Sequence, residues 1–101
     1  MPMRGLTVIV ATDDRARFQA AVTIASAQAA LGGRARLYFN EGAVRLLADM
    51  TPLATAGELG VSFIACQTGL ADAGLALPDG VQAGGMVSLL AELGDDRLIA
   101  L

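Results

Sequence analysis

The chain has a single cysteine, Cys66, and the residues around it are the ones best suited to chemistry. Cys66 follows a short apolar run, Val61 to Ala65, that reads as a buried strand. Gln67, Thr68 and Gly69 then break into a short helix that ends at Gly74. A thiol at the carboxyl end of a parallel strand, facing a helix N-terminus, stands where open α/β sheets place their chemistry. The free N–H groups of Thr68 and Gly69 favour a thiolate over a thiol, and Gly69 lets backbone approach the sulfur closely. One thiolate can accept a sulfane sulfur and hand it on. Without a second cysteine it cannot run a dithiol cycle. The alternative is that Cys66 is a small buried hydrophobe beside Ile64 and Ala65.

Gly84 and Gly85 form the second candidate. They lie where a short strand becomes a helix, and free N–H groups there can hold an anion or the outer sulfur of a persulfide. The competing reading is a tight joint between helix and sheet, because the pair lacks the spacing of a dinucleotide fingerprint. Arg15, Arg17 and Arg45 are the cations that could approach the strand ends, although surface arginines are usually solvated. Asp13 and Asp14 read better as caps of the first helix than as a metal-binding or acid–base pair. Asn40 and Glu41 could line the same sheet edge, but capping the next helix is the simpler role. No metal site is implied.

Composition removes several classes of function. All seven basic residues are arginine, so Schiff-base chemistry and a P-loop lysine are excluded. Histidine is absent, which excludes Cys-His and Ser-His pairs and the usual zinc ligand sets. A net charge of −3 without a basic run argues against nucleic acid, and with no phosphate motif it disfavours a nucleotide or flavin binder. No cofactor is implied. With 54% apolar and only 17% charged residues, some of the surface is expected to be covered in a homo-oligomer. Met-Pro-Met-Arg-Gly enters the first strand without a signal pattern, and a lone cysteine fits a reducing, cytoplasmic compartment. The longest charge-free stretch, 18–33, carries Gln19, Thr23, Ser26 and Gln28 and ends in two glycines, so it reads as a buried helix and not a membrane span.

The elements that must position these residues follow in order. Leu6 to Ala11 is a β-branched run suited to a central strand. A helix runs from the Thr12-Asp13-Asp14 cap to about Leu31, with Phe18, Val22, Ala25 and Ala29 as its stripe and Ala21 and Ile24 widening it. Arg34 to Phe39 alternates, with Ala35, Leu37 and Phe39 inward, and predicts a strand less fully covered than the first. Ala43 to Met50 reads as a short helix. Thr51 as N-cap with Pro52 at the first helical position opens another, to Leu59. After the Cys66 stretch come a Pro-Asp-Gly turn, a short strand at Val81 to Ala83, and a helix from Met86 to Leu93 with Val87, Leu90 and Leu93 inward. Gly94 caps that helix, Asp95-Asp96 turns, and Arg97 to Leu101 is the last strand. The alternation predicts one α/β domain over residues 1–101, with a parallel sheet of about five strands in three α/β/α layers.

Ile64-Ala-Cys-Gln-Thr-Gly-Leu-Ala-Asp-Ala-Gly-Leu75 followed by Gly80-Val-Gln-Ala-Gly-Gly-Met86 resembles the DsrE/DsrF-like family, which includes the Tus sulfur-relay subunits. The likeness is one of order and spacing, and it extends to an aromatic strand leading into Asn40-Glu41-Gly42-Ala43-Val44. It implies a three-layer α/β fold assembling into trimers or hexamers. It also implies a persulfide-carrying cysteine at Cys66, served by sulfur-donor and sulfur-acceptor proteins. Some relatives have a second cysteine, and this chain has none. Other members with that fold have no demonstrated catalysis, and some lack the cysteine, so the alternative is a non-catalytic oligomeric binding or scaffold protein of the same fold.

Overall fold

The computed structural model describes residues 3–101, so Met1 and Pro2 of the expected N-terminal lead-in lie outside it. Five strands form one all-parallel sheet: β1 Leu6–Val10, β2 Ala35–Phe39, β3 Ser62–Cys66, β4 Val81–Gly84 and β5 Arg97–Ala100. Their order is β4-β3-β2-β1-β5. Four α-helices join them: α1 Arg15–Ala30, α2 Ala54–Glu58, α3 Gln67–Ala73 and α4 Met86–Ala91. The sheet between two helical layers gives the expected three-layer α/β/α fold.

The order dictates the layers. The steps β1→β2, β2→β3 and β3→β4 all move one way, so right-handed crossovers put α1, residues 41–58 and α3 on one face. The return from β4 to β5 sends α4 to the other. The first face holds the main core. Leu6, Val8 and Val10 of β1, Leu37 and Phe39 of β2, and Phe63 and Ala65 of β3 are buried against Phe18, Val44, Leu47, Leu53 and Leu70. Phe18 and Phe39 meet ring to ring at 6.1 Å. Each such fully buried side chain stabilises the fold by roughly 1.5–3 kcal/mol.

α1 starts where Asp14 accepts the Arg17 N–H at 2.9 Å and stops at Gly32, whose φ is +89°. Its stripe is rotated from the expected one. Phe18, Ala21 and Ala25 are buried, but so is Gln28, and Ile24 is exposed. Gln28 is buried because its amide N–H group donates to the Arg4 and Arg34 carbonyls, at 2.7 and 3.4 Å, tying the starts of β1 and β2 together. Residues 18–33 are therefore not buried all round. No helix among the described residues is long and apolar enough to cross a membrane.

Four further expectations need correction. β2 is the middle strand and is buried on both faces, Arg36 and Tyr38 included, so it is more fully covered than its alternation implied. The short helix expected over Ala43 to Met50 is a 3₁₀ segment that runs earlier, Glu41–Ala48. Thr51 does not cap: its N–H donates to Asp49 Oδ1 at 3.0 Å, and Met50 holds the cap position ahead of Pro52. α4 ends at Ala91 and buries Leu89, leaving Val87 85% and Leu90 46% exposed. A helix of under two turns has too little periodicity for its phase to be read.

Candidate functional site

The reversal in strand order fixes where a ligand can sit. β3 hands its chain to α3 on one face and β4 hands its chain to α4 on the other. The carboxyl ends of these neighbouring strands therefore splay apart, and such a switch point is where open α/β sheets bind ligands. Cys66 ends β3 directly opposite Gly84 of β4. Around them opens a cleft of about 590 Å³, lined by Tyr38, Asn40, Glu41, Gly42, Arg45 and Asp72 as well as by Cys66, Gln67, Thr68, Gly69, Gly84 and Gly85. All six residues singled out from the sequence thus meet in one place.

Cys66 occupies the N-cap of α3, and its sulfur accepts the Gly69 N–H at 3.4 Å. The sulfur is half-buried. Burial alone pushes its pKa up, but the N–H groups of Gly69, Glu41 and Thr68 and the Tyr38 hydroxyl together pull it below its ordinary 9.0. Hydrogen bonding thus favours the thiolate form. No cation among the described residues contributes to that shift. Arg45 reaches the cleft wall and folds over Gly42, whereas Arg15 stands beside Asp49.

Two of these donors were not assigned from sequence. The first is the backbone of Glu41, the only described non-glycine residue with positive φ, at +45°. A left-handed residue without glycine's freedom costs about 1–3 kcal/mol, and such strain gathers at functional sites. Here it falls at a residue whose backbone helps lower the Cys66 pKa. Asn40 makes no capping hydrogen bond, so capping does not explain the pair. The second donor is Tyr38. It shares a sheet face with Cys66, since Tyr38 pairs with Ile64 and Cys66 lies two residues further on. Its aromatic character was visible in the sequence, but its burial on a central strand was not.

The two glycine joints differ. A Cβ on Gly84 would meet Ile64 Cγ2 at 3.0 Å, so Gly84 is a close-packed joint, whereas one on Gly85 would meet nothing within 4 Å. Space for a ligand atom is therefore at Gly85. No group of three or more potential metal-ligating His, Cys, Asp or Glu side chains occurs among the described residues.

The chain matches no known protein-family model and no curated protein.

Tyr38, the only tyrosine, offers a direct readout. Burial first, then its hydrogen bond to Cys66 and the charges of Cys66 and Glu41, push its pKa up from 10.0 to about 12. Tyrosinate absorbance should therefore rise with a midpoint near 12, and Cys66→Ala should lower that midpoint by removing a neighbouring anion. A midpoint at 10 in both proteins would mean that the phenol is open to water and does not serve the sulfur.

Proposed function

We propose that this protein carries sulfur as a persulfide on Cys66, between a donor and an acceptor protein. The observation that carries the reading is a half-buried sulfur at the mouth of the switch-point cleft, drawing on the N–H groups of Gly69, Glu41 and Thr68. The spacing resemblance to the DsrE/DsrF-like family adds to it.

In the loading step the Cys66 thiolate attacks the outer sulfur of a donor persulfide, R–S–SH. The donor S–S bond breaks as a new one forms, and RS⁻ leaves with the electron pair. No oxidant is consumed. An acceptor thiolate repeats the exchange and regenerates the Cys66 thiolate. The ring of N–H donors stabilises Cys66 each time it is the leaving group. The open space beside Gly85 has room for the outer sulfur.

A second reading, a non-catalytic oligomeric scaffold, is favoured by the apolar surface left by α4 and β5. Val87, Leu90 and Leu98 are all exposed. A homo-oligomer, trimer or hexamer, would cover them under either reading, and light scattering of the purified protein reports it.

Incubation with a small-molecule persulfide should add one sulfur atom to the mass, removable by thiol reductant and absent in Cys66→Ser. The iodoacetamide rate should rise with an inflection below the ordinary 9.0 of the thiol. An ordinary inflection together with an unchanged mass would remove the carrier reading and leave the scaffold.

A further inference from the structure

The second face of the sheet holds a polar cluster that the Cys66 cleft does not use. Thr7 of β1, Arg36 of β2 and Asp96 just ahead of β5 are all buried. Arg36 Nε donates to Thr7 Oγ1, and the Thr7 hydroxyl donates to Asp96 Oδ2, both at 3.0 Å. The same Oδ2 lies 3.2 Å from Arg34 Nε and 3.6 Å from Arg36 Nη2. One carboxylate oxygen is thus shared among three groups. Arg36 Nη2 is sealed from solvent and has no hydrogen-bond partner among the described residues. A guanidinium carries five N–H donors, and here only Nε is hydrogen-bonded among the described residues. Burial, and then the Arg34 charge, pull the Arg36 pKa down, with Asp96 and Glu92 acting the other way. This is a buried cation short of acceptors.

The Arg36 side chain also lines a groove of about 220 Å³, together with Arg34, Ser62, Ile64, Gln82 and Glu92. A second hollow of about 220 Å³ shares Ile64, Gln82 and Glu92 and continues beside Leu89 and Gly84. The groove therefore has a polar end, with a guanidinium and a hydroxyl, and an apolar run along Ile64 and Leu89. Each hollow is smaller than the roughly 300–1,000 Å³ of drug-sized sites, so the occupant must be small. Glu92 on the wall disfavours a second negative charge, which argues against phosphate or sulfate.

We propose that this groove binds a small organic monocarboxylate, with its carboxylate on Arg36 and Ser62 and its apolar body along Ile64 and Leu89. Nε is taken by Thr7 and Nη2 faces Asp96, so the carboxylate meets the remaining Nη1 edge of the guanidinium, in a charge-assisted hydrogen bond. The site is independent of Cys66 and of the persulfide reading.

The test titrates the full chain with sodium butyrate, against sodium chloride at equal ionic strength, and follows backbone amide resonances. Saturable shifts are expected at Ser62, Ile64, Gln82 and Ser88, with a dissociation constant on the order of 1 mM for so small a ligand. Ser62→Leu fills the groove from an exposed position without removing the Arg36–Asp96 pair, and should weaken binding by about tenfold or more. Arg36→Met should do the same, and if it fails to fold, Ser62→Leu alone decides. Sodium sulfate should give no saturable shift at these residues. The proposal is overturned if butyrate produces no saturable shift there, if Ser62→Leu responds like the parent, or if sulfate binds equally well.

Discussion

Replacing Asp96 with alanine is expected to cost about 3–5 kcal/mol of folding stability, the range for breaking a buried ion pair from one side. Its carboxylate is the acceptor for Thr7, faces the guanidinium groups of Arg34 and Arg36, and lies against Gly5, where a Cβ would strike it. The two arginines respond differently to its loss. The Arg34 side chain is 50% exposed and can rehydrate, so its pair contributes little, about 0–1 kcal/mol. The Arg36 side chain is 8% exposed and meets water only at the groove edge, so it rehydrates far less. Removing Asp96 leaves it as an uncompensated charge inside the sheet. A domain of this size is stable by about 5–15 kcal/mol, so the loss is a large share of the total. Urea unfolding should show a lower midpoint with an unchanged slope, and Arg34→Ala should shift it by under about 1 kcal/mol. The double replacement Arg36→Met with Asp96→Leu should recover much of the loss, because apolar packing replaces a pair whose desolvation was unfavourable. If Asp96→Ala matched Arg34→Ala, Arg36 would have to be reaching water through the groove.

The same cluster marks where sequence reasoning stopped. Strand runs, glycine stops and the Cys66 joint are local features, and they predicted the five strands, their parallel order of elements and the place of Cys66, Gly84 and Gly85 at the carboxyl edge of the sheet, but not that β3 and β4 are neighbours. Arg36 and Tyr38 alternated with apolar residues and so read as a solvated face. What covers Arg36 is Asp96, sixty residues away, brought near because β5 pairs with β1 and not with β4. Strand order is a tertiary fact that no local pattern carries. The Glu41 contact failed to show for a related reason. Its positive φ falls where its backbone packs against Gly69 of α3, whereas its sequence context, Asn-Glu-Gly, reads as an ordinary cap. Gln28 repeats the lesson in milder form, as a polar residue buried because two strand-end carbonyls face it.

Gly69→Ala should damage both the fold and the thiolate, and it ties the two together. A Cβ at Gly69 would lie 2.5 Å from the Glu41 carbonyl oxygen, 2.9 Å from its Cα and 3.0 Å from its carbonyl carbon. All three are backbone atoms, so no side chain can swing aside. Either α3 or the strained turn at Glu41 must move, at about 1–3 kcal/mol for overpacking of this kind. Moving α3 pulls the Gly69 N–H away from the Cys66 sulfur, and moving the turn withdraws the Glu41 backbone that helps lower its pKa. The thiol pKa should rise toward 9.0, and the alkylation inflection with it. The sign of the linked pH dependence follows. Cys66 has a lowered folded pKa, so its contribution to stability is full above 9.0 and is lost as pH falls through the folded value. The stability gap between the parent and Gly69→Ala should therefore widen with rising pH across that window. Gly85→Ala is the control for stability, because its φ of −135° suits any residue and its Cβ meets nothing within 4 Å. It should shift stability by no more than about 0.5 kcal/mol. A destabilised Gly69→Ala protein with an unmoved thiol pKa would separate packing from electrostatics, and would leave the N–H ring around Cys66 without a chemical role.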